Sequence, residues 1–208
     1  MRKLVIMTTL LICLAFCAGG CVLTDAGGMS GWQKEAMQEL LRDGTDIDSA
    51  DIQNIALPKV AAEKFPAVKK AFSITCGEKH YYAFAASPLG YKDAINLFVA
   101  IDDEKGEIMG VKVGRHNESP EYADYITREW FLSRFSGKDT GGYLNRVVLE
   151  ATQPNDIVQV TGATVSSQAV INGVNAAMGA YREIIIGEEA PAVPLPVEGF
   201  VTEIKAGR

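Results

Sequence analysis

The body of this chain has almost no cysteine and very little histidine. Three of its four cysteines lie within the first 21 residues, which leaves Cys76 alone in the remainder. One cysteine cannot form a disulfide framework, so the fold must rest on its hydrophobic core, and we expect Cys76 to be a small buried side chain. The two histidines, His80 and His116, stand 36 positions apart. That separation is no metal-ligand spacing, so no metal site is predicted.

Glycine signatures of nucleotide-binding proteins and internal repeats are also absent. The sequence contains neither G-x-G-x-x-G nor a Walker loop. Its 20 Lys and Arg are outnumbered by 26 Asp and Glu, which gives a net charge of −6. Loss of residues 1–20 would remove Arg2 and Lys3 and leave −8. Such an acidic chain argues against nucleic acid as a partner.

The N-terminus carries a long uncharged run. Met1-Arg2-Lys3 precedes an apolar segment over residues 4–23, which is typical of an export signal or of one membrane span. Ala18-Gly19-Gly20-Cys21 resembles a lipobox, which would make Cys21 the lipidated first residue of a lipoprotein. Alternatively, the segment remains as an uncleaved anchor helix. Both alternatives place the rest of the chain outside the cytoplasm, at the cytoplasmic (inner) membrane.

Apolar alternation and turn residues predict two hairpins in the middle of the chain. The predicted strands are 72–75, 81–86, 95–101 and 108–113, with short strands at 145–150 and 157–160. Helices are predicted at 32–42 and 124–135, with a partly helical stretch at 61–72 and an acidic turn at 46–51. Trp130 is expected in the core, since large aromatic residues at helical spacing usually pack. The chain divides into a leader (1–23), a linker (24–31), one domain (32–187) and a flexible tail (188–208).

The most informative stretch runs from Thr161 to Tyr181. Its first residues are Thr161, Gly162, Ala163, Thr164, Val165, Ser166 and Ser167, and an apolar helical pattern follows. We expect Ser166 or Ser167 to cap the helix, because a serine hydroxyl accepts from free helical amides. Free amides and the helix dipole favour an anion there, and Gly162 allows a bulky group to approach the backbone closely. A plain capped helix without a ligand is the alternative.

The letters TGATVS resemble the S/T-G-A-T-x-S/T motif of the FMN-binding domain family. Its members include the G subunit of Rnf electron-transport complexes and the C subunit of sodium-pumping NADH:quinone reductases. The resemblance implies that a flavin transferase joins the phosphate of FMN to Thr164, with the other residues of 161–167 around it. One position departs from the family. An aspartate usually stands three residues before the motif, where this chain has Val158, with Asp156 two residues further back.

A second segment also resembles this family. His116-Asn117-Glu118-Ser119-Pro120 stands where members often carry H-x-E-T-P-G-L-G, a loop beside the flavin. The resemblance implies that His116 and Glu118 line or shape the flavin pocket. The alternative is a loop held by local hydrogen bonds alone. Glu121 and Tyr122 replace the usual glycine and leucine, so the backbone of this loop is expected to be less free.

The resemblance implies a fold and a function. The fold is α+β, with a mostly antiparallel twisted sheet flanked by helices, preceded by one N-terminal hydrophobic segment. FMN would lie between the 161–167 and 116–120 loops, and no catalytic acid or base is needed to carry electrons. The implied protein is the G-type subunit of an Rnf-like ion-translocating ferredoxin/NAD oxidoreductase, with integral membrane subunits as partners. A free-standing FMN lipoprotein, or a non-redox binding lipoprotein without flavin, remain as alternatives.

Overall fold

The computed structural model describes residues 28–41 and 45–193, without the side chains of Tyr122 and Ala123. The predicted leader with Cys21 and the end of the predicted tail lie outside the described residues. The predicted boundaries of the leader, linker, domain and tail stay predictions. Among the described residues, no helix is both long enough and apolar enough to cross a membrane.

Five sequential strands form one antiparallel sheet in the order in which they occur in the chain. They are β1 (Asp51–Ile55), β2 (Val68–Cys76), β3 (Lys79–Ala86), β4 (Leu97–Asp102) and β5 (Glu107–Val113). The two predicted hairpins are present: a two-residue turn joins β2 to β3, and residues 103–106 join β4 to β5. With helices packed on it, this sheet confirms the predicted α+β class.

Both faces of the sheet are buried, and β4 shows this most clearly. Its successive side chains point to opposite faces, so Leu97, Val99 and Ile101 enter one core while Phe98 and Ala100 enter another. All five are at most 1% exposed. This is why the strand reads as a continuous apolar run instead of an alternating one. The predicted burial of Cys76 is also confirmed, in the same core as Phe98.

The first half of the chain contains more strand than the sequence predicts. The partly helical stretch predicted at 61–72 contains the end of α2 (Lys59–Lys64), and β2 already begins at Val68. The acidic turn predicted at 46–51 is a 3-10 turn (Ile47–Ser49) that leads directly into β1. β1 is largely exposed and polar, so it has no apolar pattern, and its pairing with β2 creates the strand.

One helix covers each face of the sheet. α1 (Gly31–Leu40) begins at a capping box in which Ser30 and Gln33 satisfy each other's backbone amides, and it packs near Phe98. The opposite face carries the long helix that follows the hydroxyl-rich stretch. That helix, named α5 (Thr164–Tyr181), is buried at 15 of its 18 residues. It is the central element of the domain, and the predicted apolar residues from Ala169 to Met178 all lie in the core.

The continuous helix predicted over 124–135 is wrong. The chain forms short turns instead: α3 (Pro120–Ala123), a 3-10 turn (Asp124–Thr127), α4 (Glu129–Leu132) and a second 3-10 turn (Ser133–Phe135). The break lies at Arg128, whose backbone is extended (φ −77°, ψ 140°). Local hydrogen bonding of short turns therefore replaces the single helix that the apolar spacing indicates.

Trp130 is not in the core, which corrects its predicted place. It is 47% exposed, whereas its neighbour Phe131 is fully buried. The guanidinium of Arg134 stacks on the indole at 4.9 Å from the ring centroid. Because the backbone is extended at Arg128, the next turn presents a different side to the core than a continuous helix would. Trp130, which the apolar spacing predicts to be buried, therefore lies at the surface.

Two short parallel strands lead to the start of α5. β6 (Asn145–Val147) pairs with β7 (Asp156–Val158), within or next to the two short strands predicted from the sequence. The pairing continues one step further, because the amide of Gln159 donates to the carbonyl of Val147. β6 therefore lies beside the chain as it enters the hydroxyl-rich turn.

We predict that Gly173→Ala destabilises the domain by about 1–3 kcal/mol, because overpacked cores strain their neighbours. A Cβ at Gly173 would lie 2.5 Å from Leu97 Cδ1 and 2.8 Å from Pro88 Cγ. Urea unfolding monitored by circular dichroism would measure the change. Gly31→Ala is the matched control, since a Cβ there meets nothing within 4 Å. Equal effects of the two substitutions would contradict tight packing of α5 on the sheet.

Candidate functional site

A tight turn delivers the chain to α5. The amide of Ala163 donates to the carbonyl of Val160 at 3.1 Å, which closes a four-residue turn. Gly162, at the third position, has φ +82°. A type II turn needs a positive φ at that position, where glycine carries no steric penalty. The glycine of the motif therefore has a local structural reason, in addition to any close approach of a ligand.

The helix begins at Thr164, and the prediction that Ser166 or Ser167 caps it is wrong. Ala163 occupies the cap position, and no side chain caps the helix. The first amides of a helix have no partner within the helix, and here no serine supplies one. The N-terminus of α5 therefore presents backbone donors next to the exposed side chain of Thr164.

The two serines are engaged elsewhere, which explains why they do not cap. Ser167 is fully buried, and its hydroxyl accepts from the amide of Val160 at 2.9 Å. Ser166 is 3% exposed, and its hydroxyl donates to the carboxylate of Glu118. Ser167 thus fixes the turn to the helix, and Ser166 fixes the helix to the 116–120 loop. The two predicted loops do lie together.

Glu118 is the acceptor that joins three segments of the chain. It is 6% exposed, and besides Ser166 it accepts from the amides of Tyr91 at 3.1 Å and Lys92 at 2.9 Å. Burial by itself raises the pKa of Glu118, but the hydrogen bonds to its carboxylate outweigh burial and hold the pKa below its ordinary value. Glu118 is therefore a charged anchor whose oxygens are engaged within the protein.

The loop that Glu118 holds is built around a glycine. A Cβ at Gly90 would lie 2.7 Å from Glu118 Oε1 and 2.8 Å from the carbonyl oxygen of Asp93. Only a residue without a side chain lets the loop approach the carboxylate so closely. The neighbours Leu89 and Tyr91 are each 66% exposed. Glu118 thus positions two exposed apolar side chains beside the start of α5.

His116 shapes the loop locally. Its Nδ1 accepts from the amide of Glu118 at 3.3 Å, and its ring is half-buried. The next residue, Asn117, donates to Asp93 at 2.8 Å and gives the loop a second attachment to 89–95. His80 lies on β3 against the hydroxyls of Ser73 and Thr75. Within the described residues, no three His, Cys, Asp or Glu side chains could hold a metal ion.

Arg146, a residue that sequence reasoning missed, lies on the same side of α5 as Thr164. Its Nε donates to Gln168 Oε1 at 2.8 Å, and its Nη1 donates to Gln159 Oε1. Gln168 follows Thr164 by four residues, so both stand on one face of the helix. No local pattern around Arg146 signals this place, because it depends on the pairing of β6 with β7.

The geometry fits a flavin mononucleotide at one point in particular. Thr164 is exposed at the first residue of a helix without a side-chain cap, where an anionic ester of its hydroxyl is electrostatically favoured. Val165 is half-buried and Ala163 buried, so they shape the turn more than the surface. Thr161 and Gly162 are exposed beside it. Glu118 and His116 position the neighbouring loops, and the carboxylate oxygens of Glu118 are engaged within the protein.

We predict that Glu118→Gln destabilises the domain by about 1–3 kcal/mol near neutral pH, since charge-assisted hydrogen bonds are lost. Because the folded pKa of Glu118 is lowered, its contribution is present above about pH 4.3 and declines as pH falls through the folded pKa. The difference between wild type and variant should therefore shrink in acid. Unfolding titrations from about pH 3 to about pH 7 would measure it.

Glu121→Gln is the matched control for that experiment, because Glu121 is exposed in the same segment. It should change stability little, because its side chain is exposed. A wild-type minus Glu118→Gln difference that grows toward acid would contradict the anchoring role of the carboxylate.

The part of the chain that contains this site is similar to known proteins. Residues 90–179 match the model of the FMN-binding domain, a span that contains Glu118 and the whole 161–167 stretch. The chain is 38% identical over 102 residues to the G subunit of the ion-translocating oxidoreductase complex of Salmonella typhi, covering 48% of each chain. It is 31% identical over 97 residues to the G subunit of the proton-translocating ferredoxin:NAD(+) oxidoreductase complex of Clostridium ljungdahlii, covering 47% of this chain and 51% of that protein.

The matched part spans about half the length of these relatives. Among solved structures, the C subunit of the Na(+)-translocating NADH-quinone reductase of Parabacteroides distasonis superposes with a TM-score of 0.55 at 16% identity, covering 76% of this chain and 94% of that one. At such low identity, this likeness shows a shared fold. The matches to the family model and to the G subunits confirm the predicted resemblance to the FMN-binding domain family, and FMN is the cofactor that the matched domain supports.

Proposed function

We propose that this protein carries electrons on an FMN joined to Thr164 through a phosphoester. The observation that supports this most directly is that the four hydroxyl residues of the 161–167 stretch differ in burial and in hydrogen bonding. Ser166 and Ser167 are buried and engaged, whereas Thr161 and Thr164 are exposed. Of the two exposed hydroxyls, that of Thr164 stands at the uncapped first residue of α5.

The surroundings of Thr164 suit a phosphoester chemically. Esterification leaves one negative charge on the phosphate, and the N-terminus of α5 offers free amides and the positive end of the helix dipole to it. The serines behind it stay satisfied, so no buried polar group has to move when the ester forms. The helix itself is locked in the core, which would keep the attachment point fixed.

Val158 stands where the family usually has an aspartate, and the structure describes its surroundings. Val158 is half-buried at the end of β7, and its carbonyl accepts from Arg134. Asp156 does not compensate for the missing aspartate on the surface, because it is 6% exposed and accepts from the amides of Thr152 and Gln153. If a transferase loads this chain, we propose that it does so without a surface carboxylate at either position.

Electron carriage requires little chemistry from the protein itself. A bound flavin accepts and returns one or two electrons, while the protein holds it, orients it and sets its surroundings. Leu89 and Tyr91 are exposed beside the start of α5 and lie on a loop that Glu118 anchors. We propose that this anchored loop keeps a fixed apolar surface next to the flavin.

We further propose that the protein acts as the G-type subunit of an Rnf-like membrane complex. The relatives are subunits of ion-translocating oxidoreductase complexes by name, which supports integral membrane subunits as partners. The apolar N-terminal segment, through a lipid on Cys21 or as an anchor helix, would hold the domain at the outer face of the cytoplasmic membrane. In this proposal, the predicted domain at 32–187 would lie next to those subunits.

We predict that the exported protein gains the mass of FMN minus water when a flavin transferase is present. The Thr164 Oγ–P bond forms as the O–H bond of Thr164 and one P–O bond of the flavin donor break, and the proton leaves with the departing group. Thr164→Val should therefore abolish the gain while Thr164→Ser retains it. Intact mass spectrometry and the absorbance of denatured protein would measure attachment. A gain that persists in Thr164→Val would move the ester to another residue.

The wild-type result separates the remaining alternatives. An unmodified protein with releasable yellow flavin would replace the covalent carrier by a non-covalent one. An unmodified and colourless protein would overturn the proposal and favour a binding lipoprotein without flavin.

We predict that the full chain, tagged at its C-terminus and extracted from native membranes in mild detergent, co-purifies with integral membrane redox subunits. The control is the 1–30 segment fused to an unrelated domain, which shares the anchor but not the domain. Mass spectrometry of the co-purified proteins would identify the partners. Purification of the flavin-loaded chain alone would favour a free-standing FMN lipoprotein.

A further inference from the structure

We propose that Arg146 is the residue that selects a phosphorylated flavin over an unphosphorylated one. This inference rests on the proposed function, since it assigns a role at the same site. Arg146 extends from β6 toward the face of α5 that carries Thr164, and it is half-buried there. It would contact the phosphate directly and would set specificity instead of taking part in electron transfer.

Within the described part of the chain, the hydrogen-bond partners of Arg146 are neutral. Two glutamine amide oxygens, from Gln159 and Gln168, receive its N–H groups. Among residues 28–41 and 45–193, no carboxylate forms an ion pair with it. A guanidinium is always charged at ordinary pH. The site therefore holds a positive charge that the described residues orient but do not neutralise.

The glutamines fix the direction of this charge. Gln168 is 7% exposed, and its amide nitrogen donates to Asn172 Oδ1 at 2.9 Å, which turns its oxygen toward Arg146. Gln159 lies two residues before Thr161, on the other side of the guanidinium. These two contacts use two of the five N–H donors of an arginine. The others remain available for an anion.

The position matches that of a phosphate on Thr164. Residues four apart on a helix are neighbours, with Cβ atoms about 5–6 Å apart. Gln168, which touches Arg146, is that neighbour of Thr164. Because the guanidinium contacts Gln168, we expect it to approach a phosphate oxygen on Thr164 and to form a charge-assisted hydrogen bond with it. The charge of Arg146 adds to that of the helix N-terminus.

Binding of FMN and riboflavin, which differ by the phosphate alone, tests this inference. The full chain is made without a flavin transferase, and the fluorescence of each flavin is titrated with wild type, Arg146→Gln and Arg146→Lys. We expect wild type to prefer FMN by about tenfold to a hundredfold, as charge-assisted hydrogen bonds allow. Arg146→Gln should reduce the preference to less than about fivefold, the share that a helix terminus alone supplies.

Riboflavin binding is the internal control for folding and should be unchanged in Arg146→Gln. Arg146→Lys, which keeps the charge but not the fork of donors, should restore part of the preference. Arg128→Gln is the matched control, because Arg128 is exposed and pairs with Asp124. It should bind both flavins as wild type does.

The outcomes separate this inference from the proposed function. An undiminished FMN preference in Arg146→Gln, or no preference in wild type, would overturn the role of Arg146 and leave the flavin carrier standing. Equal loss of both flavins in Arg146→Gln and Arg146→Lys would show a structural role only. A wild type that binds neither free flavin would overturn this inference, whereas the proposed function fails only if protein made with the transferase is unmodified and colourless.

Discussion

The buried carboxylate of Glu118 is the contact on which the site depends. It accepts from Ser166 at the start of α5 and from the amides of Tyr91 and Lys92. These three segments are distant in sequence, and one charged acceptor sets their relative positions. A buried charge is tolerated only when hydrogen bonds satisfy it. The hydrogen bonds that stabilise the ionised carboxylate of Glu118 therefore also hold these segments together.

The long helix transmits this arrangement to the whole domain. α5 is buried on nearly all sides, so its first turn cannot shift without disturbing the core. Gly173 allows its close approach to Leu97 on the sheet. Thr164 thus stands at the exposed end of a rigid element while the residues just behind it are buried. A cofactor attached there would share the rigidity of the core, which suits a carrier that must present it to partners at a fixed distance.

Local patterns in the sequence predict the hairpins and the burial of α5, and the family resemblance implies that the two loops lie together. Prediction fails where tertiary contacts override the local pattern. Strand β1 exists because β2 pairs with it, and Trp130 is exposed because the chain breaks at Arg128. The serine cap fails for the same reason: Ser166 has a better partner in Glu118, 48 positions away. The preference of serine for helix caps predicts the structure poorly when a buried charge competes for the same hydroxyl.

Arg146 shows the limit of sequence reading most clearly. Nothing beside it in the chain distinguishes it from other surface arginines, and its place depends on a parallel pair of three-residue strands. Two neutral glutamines orient its charge, although carboxylates outnumber basic residues in this chain. In an acidic protein, an arginine whose described partners are neutral, next to an uncapped helix, creates a local positive potential. Such a potential lowers the free energy of a bound anion. Arg146 thus brings a positive charge to the helix face that carries Thr164, in a chain whose net charge is −6.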